Sequence, residues 1–128
     1  MSITKSIPLP GSHFIPLQKA VEMATLFRQQ NENILATEYR KQNILAHSET
    51  FNRHAFEKLL AETDCAGIRI YYGMDEKLKV HAVLVGVNDS NEDILPSQGN
   101  QPQSTIPVIV EEGQRCPDIC PEKSPLNP

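Results

Sequence analysis

The first clear pattern along the chain is helical. Leu17, Ala20, Val21, Ala24 and Phe27 recur every three or four positions, with Lys19, Glu22 and Arg28 between them. That spacing puts one apolar stripe on a helix running from Pro16 to about Gln30. Pro16 suits the first helical position, where its missing N–H costs nothing. Upstream, Pro8, Pro10 and Gly11 prevent helix or regular strand, so residues 1–15 read as an extended lead-in. Asn31 and Asn33 break the pattern. From Ile34 to about Ala46 it returns more weakly, as a second helical stretch or an irregular linker. A better-marked helix follows. Phe51 precedes Asn52, a good N-cap, and Phe56 falls where its ring staples back onto Phe51. Leu59 and Leu60 continue the stripe, and this helix is expected to end around Thr63–Gly67.

The period then changes from about 3.6 to 2. In Gly67–Gly73, Ile68, Ile70 and Tyr72 share one face while Arg69 and Tyr71 share the other. In Leu78–Val87, Leu78, Val80, Ala82 and Leu84 alternate in the same way. A two-residue turn would set Tyr72 against Lys79, so the two apolar faces require a three- or five-residue loop. Arg69, Tyr71, Lys79 and His81 then lie on one common face. Val83, Val85 and Val87 make the later half of the second strand apolar on both sides, which predicts a central, covered strand with a further neighbour. That neighbour is expected at Ile106–Glu111, after a polar loop at 88–105 that holds a short Ile94–Leu95 segment. Pro107 confines it to an edge or a strand start.

These elements predict an α+β fold, with two or three helices packed on one face of a mainly antiparallel sheet of three to five strands. An irregular Pro/Cys-containing tail at 113–128 completes a single domain over residues 1–128. The expected core draws Val21, Ala24, Phe27, Phe56, Leu59 and Leu60 from the helices. The sheet is expected to add Ile68, Ile70, Tyr72, Val80, Leu84 and Val85, and the tail to be anchored by Ile119 and Leu126.

Composition narrows the function. The chain has no Trp and is 5% aromatic, so its core must rest on Ile, Leu, Val and Ala. A net charge of −4 without a basic run argues against nucleic-acid binding. No apolar stretch approaches the ~20 residues that span a bilayer, which argues against a membrane protein. Met1–Gly11 lacks an apolar signal core, so a cytoplasmic location is expected. Three cysteines are too few for a disulfide scaffold, in keeping with a reducing compartment.

The most distinctive chemistry is Cys116-Pro-Asp-Ile-Cys120-Pro. Pro after each Cys excludes a long helix, but a tight turn beginning at Pro117 would bring Cys116 and Cys120 within disulfide range. Three readings compete: a packing tail, a disulfide or redox pair, and a metal site. Zinc would require two more ligands, drawn from Cys65 and one of His13, His47, His54 or His81, so no metal ligand and no cofactor is assigned. On the hairpin, Arg69, Tyr71, Lys79 and His81 form a candidate ligand-binding face, set against a solvated or covered face. Cys65 reads as a small buried residue. Glu49, Glu57, Glu62 and Asp64 form no recognisable catalytic dyad, and the common nucleotide, hydrolase and zinc-protease motifs are missing from the sequence. No catalytic residue is assigned, and whether the protein is an enzyme is left open, with the balance against it.

Phe51-Asn52, Ile68-Arg-Ile-Tyr-Tyr-Gly-Met74, His81 within Lys79–Val83, and Cys116-Pro-x-x-Cys120 with Ser124-Pro-Leu-Asn127 resemble a family of small, uncharacterised bacterial proteins. The likeness covers roughly residues 14–127 and implies a stand-alone bacterial protein, with no activity or site residue attached. The leading expectation is therefore a non-enzymatic binding or protein-interaction domain, monomeric or homodimeric, whose partner is an unknown protein or small molecule. The alternatives are a thiol redox or metal protein using Cys116 and Cys120, and a small enzyme using a pocket centred on His81.

Overall fold

The computed structural model describes residues 6–96 and 108–128. Among these the chain is α+β. In order it forms α1 (Leu17–Gln30), a 3-10 turn (Thr37–Tyr39), β1 (Ser48–Thr50), α2 (Arg53–Leu60), β2 (Gly67–Met74), β3 (Val80–Val87), β4 (Asp93–Ile94) and β5 (Gln114–Cys116). The strands form a three-stranded sheet in the order β2-β3-β4 and a separate two-stranded sheet of β1 and β5. The single larger sheet expected from the sequence is thus divided.

The described chain forms two compact units. One takes residues 6–9, 51–73, 82–96 and 108–112; the other takes Pro10–Thr50, Met74–His81 and Gly113–Pro128. The core of the first is Leu59 of α2 against Leu84 of β3 and Val110, with Phe51, Ala55, Ile68, Ala82 and Val108 packed around them. The α2 entry matches the sequence pattern. Asn52 Oδ1 accepts the His54 N–H at 2.8 Å, and the Phe51 and Phe56 rings lie 6.0 Å apart. The helix stops at Leu60, short of the expected end. β3 is central, as its two apolar faces require: Leu84, Val85 and Val87 are buried. Gly86 and Val87 pair with Ile94 and Asp93, and Leu84 exchanges two backbone bonds with Val110. The expected third strand at 106–111 is reduced to that bridge, with residues 106 and 107 outside the described ones. Ile70 and Tyr72 are exposed rather than in the core, because β2 is an outer strand of the sheet.

In the second unit, residues 34–46 are irregular around the 3-10 turn, and Lys41 and Asn43 adopt positive φ. The hairpin loop is the five-residue Asp75–Lys79, closed by the Asp75 N–H to the Lys79 carbonyl, with Leu78 in the left-handed region. The tail is less irregular than expected. β5 pairs antiparallel with β1 (Ser48↔Cys116, Thr50↔Gln114), and Arg115 donates to the carbonyls of Asn43 and Ile44. Ile119 and Leu126, expected as apolar anchors, are exposed; backbone and amide hydrogen bonds hold the tail instead.

Candidate functional site

α1 keeps Val21 and Ala24 on its inner side, as expected, but leaves Phe27 at the surface. Pro16 stands just outside it as the capping residue, and its carbonyl accepts the Lys19 and Ala20 N–H groups. The side held within its own unit carries small or polar residues: Ala20, Val21, Ala24, Thr25 and Arg28 are half-buried. Arg28 donates through Nη1 to the Leu126 carbonyl and through Nη2 to Thr25 Oγ1. Just past the helix, buried Asn31 donates to the Leu45 carbonyl. These polar contacts fix how the helix is turned. They leave Met23, Leu26 and Phe27 on its outer side, and Phe27, expected in the core, is 37% exposed. With Gln30, Asn31 and Ile34 these residues line an open groove of about 300 Å³ whose wall is almost wholly apolar. On the helix surface Gln18 donates to Glu22, and past its end Asn33 donates to Gln30.

The predicted polar residues of the hairpin divide between two hydrogen-bonded sets. In the first unit, Arg69 donates through Nη1 to Asp93 and through Nη2 to the carbonyl and side chain of Asn91. Tyr71 donates its hydroxyl proton to the other Asp93 oxygen. Burial works against the Arg69 charge, but hydrogen bonds to Asp93 and Tyr71 and the Asp93 charge outweigh it and raise its pKa further. Its partners come from a turn that Asn88 builds, accepting the Ser90 and Glu92 N–H groups on Oδ1, with Asn91 at positive φ. A guanidinium matched this way clips β2 to the β3–β4 turn and offers little to an external anion.

In the second unit, His81 Nε2 lies 2.7 Å from Asp75 Oδ2, while Asp75 Oδ1 accepts the Lys77 and Lys79 N–H groups. His81 first, then those backbone donors, hold the Asp75 carboxyl below its ordinary range. Lys79 enters this set through its backbone. Both carboxylates lie outside the sequence-predicted set. Asp75 carries a readable signal, a turn-initiating Asp bonding its own backbone two residues on. Asp93 does not, because its pairing with Arg69 depends on how β4 lies in the sheet.

Cys116 and Cys120 are joined in a disulfide, with Cα atoms 4.6 Å apart. The two sulfurs differ in environment, since Cys116 is buried and Cys120 exposed. Cys65 is a free, half-buried thiol that donates to the Gly67 carbonyl. Beside it, the Glu62 carboxylate oxygens are shut off from solvent. That burial raises the Glu62 pKa, and the Val108 backbone N–H offsets it only in part. Among the described residues, no group of three or more His, Cys, Asp or Glu is gathered as a metal site would require. No helix among them is long and apolar enough to cross a membrane.

No protein-family model matches the chain, and neither a curated protein nor a solved structure does.

Proposed function

We propose that the protein is a non-enzymatic protein-interaction module, and that the outer face of α1 is its recognition surface. The observation that carries this reading is the apolar outer side of α1: Arg28 and Asn31 anchor the helix through polar contacts, and Met23, Leu26 and Phe27 stand exposed. Met23, Phe27 and Gln30 stand four and three residues apart and so share one side of α1, with Ile34 just beyond its end. The groove's volume and apolar lining fit one or two apolar side chains of a helix from another protein. Completing the burial of each exposed anchor is worth on the order of 1 kcal/mol. That favours a weak, reversible complex.

The test compares wild type with Met23→Asp/Phe27→Asp as baits in a lysate of the source cells. A retained protein is then purified and titrated against both baits. The expected result is a direct complex that the double variant weakens at least about tenfold, while Lys58→Glu in the other unit leaves it unchanged. Equal binding by wild type and the groove variant would reject the reading.

The polar residues of the hairpin support an enzyme less well, because Arg69, Tyr71 and His81 each hold an intramolecular partner.

A further inference from the structure

We infer that Cys116–Cys120 is a thiol–disulfide exchange site at which Cys120 is the sulfur attacked. The inference is independent of the α1 groove. It rests on three observations within the second unit.

First, the two sulfurs are unequal. Cys116 sits in β5 and is 2% exposed, whereas Cys120 lies on the surface. An incoming thiolate can align with the S–S bond only from the Cys120 side. Access of this kind decides which sulfur of an unsymmetrical disulfide reacts.

Second, the segment is held by hydrogen bonds as well as by the covalent bond. Before the ring, the His47 N–H donates to the Cys116 carbonyl at 2.7 Å, and Cys116 pairs with Ser48 across β1 and β5. Within it, the Ile119 N–H donates to the Arg115 carbonyl at 3.0 Å. Beyond it, Asn127 Nδ2 donates to the Pro121 carbonyl, Ser124 and Asn127 exchange backbone bonds, and Arg28 holds the Leu126 carbonyl. With so many independent ties, opening the disulfide does not release the tail. A five-residue ring also constrains the unfolded chain little, because loop-closure entropy grows with loop length. The bond is therefore a weak staple.

Third, Cys116 Sγ lies 4.0 Å from Oδ1 of Asn127, an amide oxygen itself fixed by the Asn127–Pro121 bond. Once reduced, the Cys116 thiol has an acceptor already in place for its proton.

The chemistry balances with a dithiol as co-reactant. Its first thiolate attacks Sγ of Cys120, forming a mixed disulfide. The Sγ–Sγ bond to Cys116 breaks, and Cys116 leaves as a thiolate that takes up a proton. The second thiolate of the dithiol attacks its partner sulfur, releasing Cys120 as a thiolate that is protonated in turn. Two electrons and two protons pass to the protein, and the dithiol becomes a cyclic disulfide. A monothiol adduct lacks this second step. Because the 115–119 turn keeps Cys116 close, its thiol displaces the monothiol and the ring recloses. The pair is thus selective for dithiols.

The experiment uses the full oxidised chain and dithiothreitol under native conditions, with acid quenching, alkylation and mapping of each cysteine by mass. The expected result is alkylation of both Cys116 and Cys120 with an unchanged far-UV circular dichroism spectrum, while glutathione at equal thiol concentration opens at least tenfold less of the pair. Partial reduction trapped with glutathione is expected to place the adduct on Cys120, leaving Cys116 as the free thiol. In the single variants, Cys120 of Cys116→Ser should react with an aromatic disulfide at least tenfold faster than Cys116 of Cys120→Ser. A pair that opens only when urea unfolds the chain, or a circular dichroism spectrum that collapses on reduction, would overturn the proposal by making the bond a structural staple. An adduct found on Cys116 would overturn the assignment of the attacked sulfur. Adduct mapping and reduction on wild type stand even if a variant fails to fold.

Discussion

Gly86→Ala adds one methyl group where β3 lies against the end of α2. Gly86 is buried and paired with Ile94, and its φ lies outside the left-handed region, so the backbone itself accepts alanine. Space is the obstacle. The new Cβ would stand 3.1 Å from Cys65 Sγ, 3.3 Å from Glu62 Oε1 and 3.6 Å from the Leu59 carbonyl. Favourable contacts between carbon atoms begin near 3.5 Å, so the sulfur and the carboxylate must both retreat. Cys65 has one side-chain torsion and a bond to the Gly67 carbonyl, and Glu62 is already enclosed. Overpacking of this kind costs about 1–3 kcal/mol. Reduced freedom of the unfolded chain returns about 0.4–1 kcal/mol. The net expectation is a loss of about 1–2 kcal/mol, read from urea unfolding followed by far-UV circular dichroism. Cys65→Ala removes the closest atom. In a double-mutant cycle it should therefore recover about 1 kcal/mol of the Gly86→Ala penalty. A Gly86→Ala protein as stable as wild type, or a coupling within about 0.3 kcal/mol of zero, would refute this packing argument.

Leu59→Ala should lose about 2–5 kcal/mol, because Leu59 is fully buried at the centre of the Leu84–Val110 cluster; urea midpoints measure it. Asn52→Ala removes the acceptor of the His54 N–H and should destabilise α2 by about 1 kcal/mol, with Asn52→Ser restoring most of it. Glu62→Gln should stabilise the protein at neutral pH by no more than about 1 kcal/mol. The wild-type carboxyl is raised in the fold, so its burial penalty is complete above the folded pKa and disappears as pH falls to the unfolded value. The advantage of Gln should therefore shrink on acidification in melting curves. Asp75 has the opposite sign. Its folded carboxyl is lowered, so its contribution is present above the unfolded value and lost as pH falls through the folded one. The melting-temperature deficit of Asp75→Asn should be widest near neutrality and close in acid.

Elements with strong local signals were legible in the sequence. The α2 cap and staple, the hairpin period with its odd-numbered loop, and the central character of β3 all depend on neighbouring residues, and all appear in the structure. What the pattern misjudged depends on distant partners. Apolar periodicity located α1 and its side bearing Val21 and Ala24 but placed Phe27 in the core, since the bonds of Arg28 and Asn31 to the carbonyls of Leu126 and Leu45 were not legible. Two three-residue strands, β1 and β5, are too short to display a period of two, so the tail's pairing was invisible. Among site residues, Arg69, Tyr71, Lys79 and His81 read as one ligand-binding face. The structure supplies the carboxylates of Asp93 and Asp75 and closes each set on itself. Proximity of Cys116 and Cys120 was readable from spacing, but the burial difference between them was not.

If the exposed stripe of α1 meets a partner helix, the contact can be trapped covalently. A photo-crosslinking amino acid placed at Leu26, on the groove wall, tests this in the source cells, with Lys58 of α2 as the control position. The expected result is one discrete adduct with a second protein from position 26, abolished by Met23→Asp/Phe27→Asp and absent from position 58. Equal labelling from both positions, or an adduct that survives the double substitution, would contradict it.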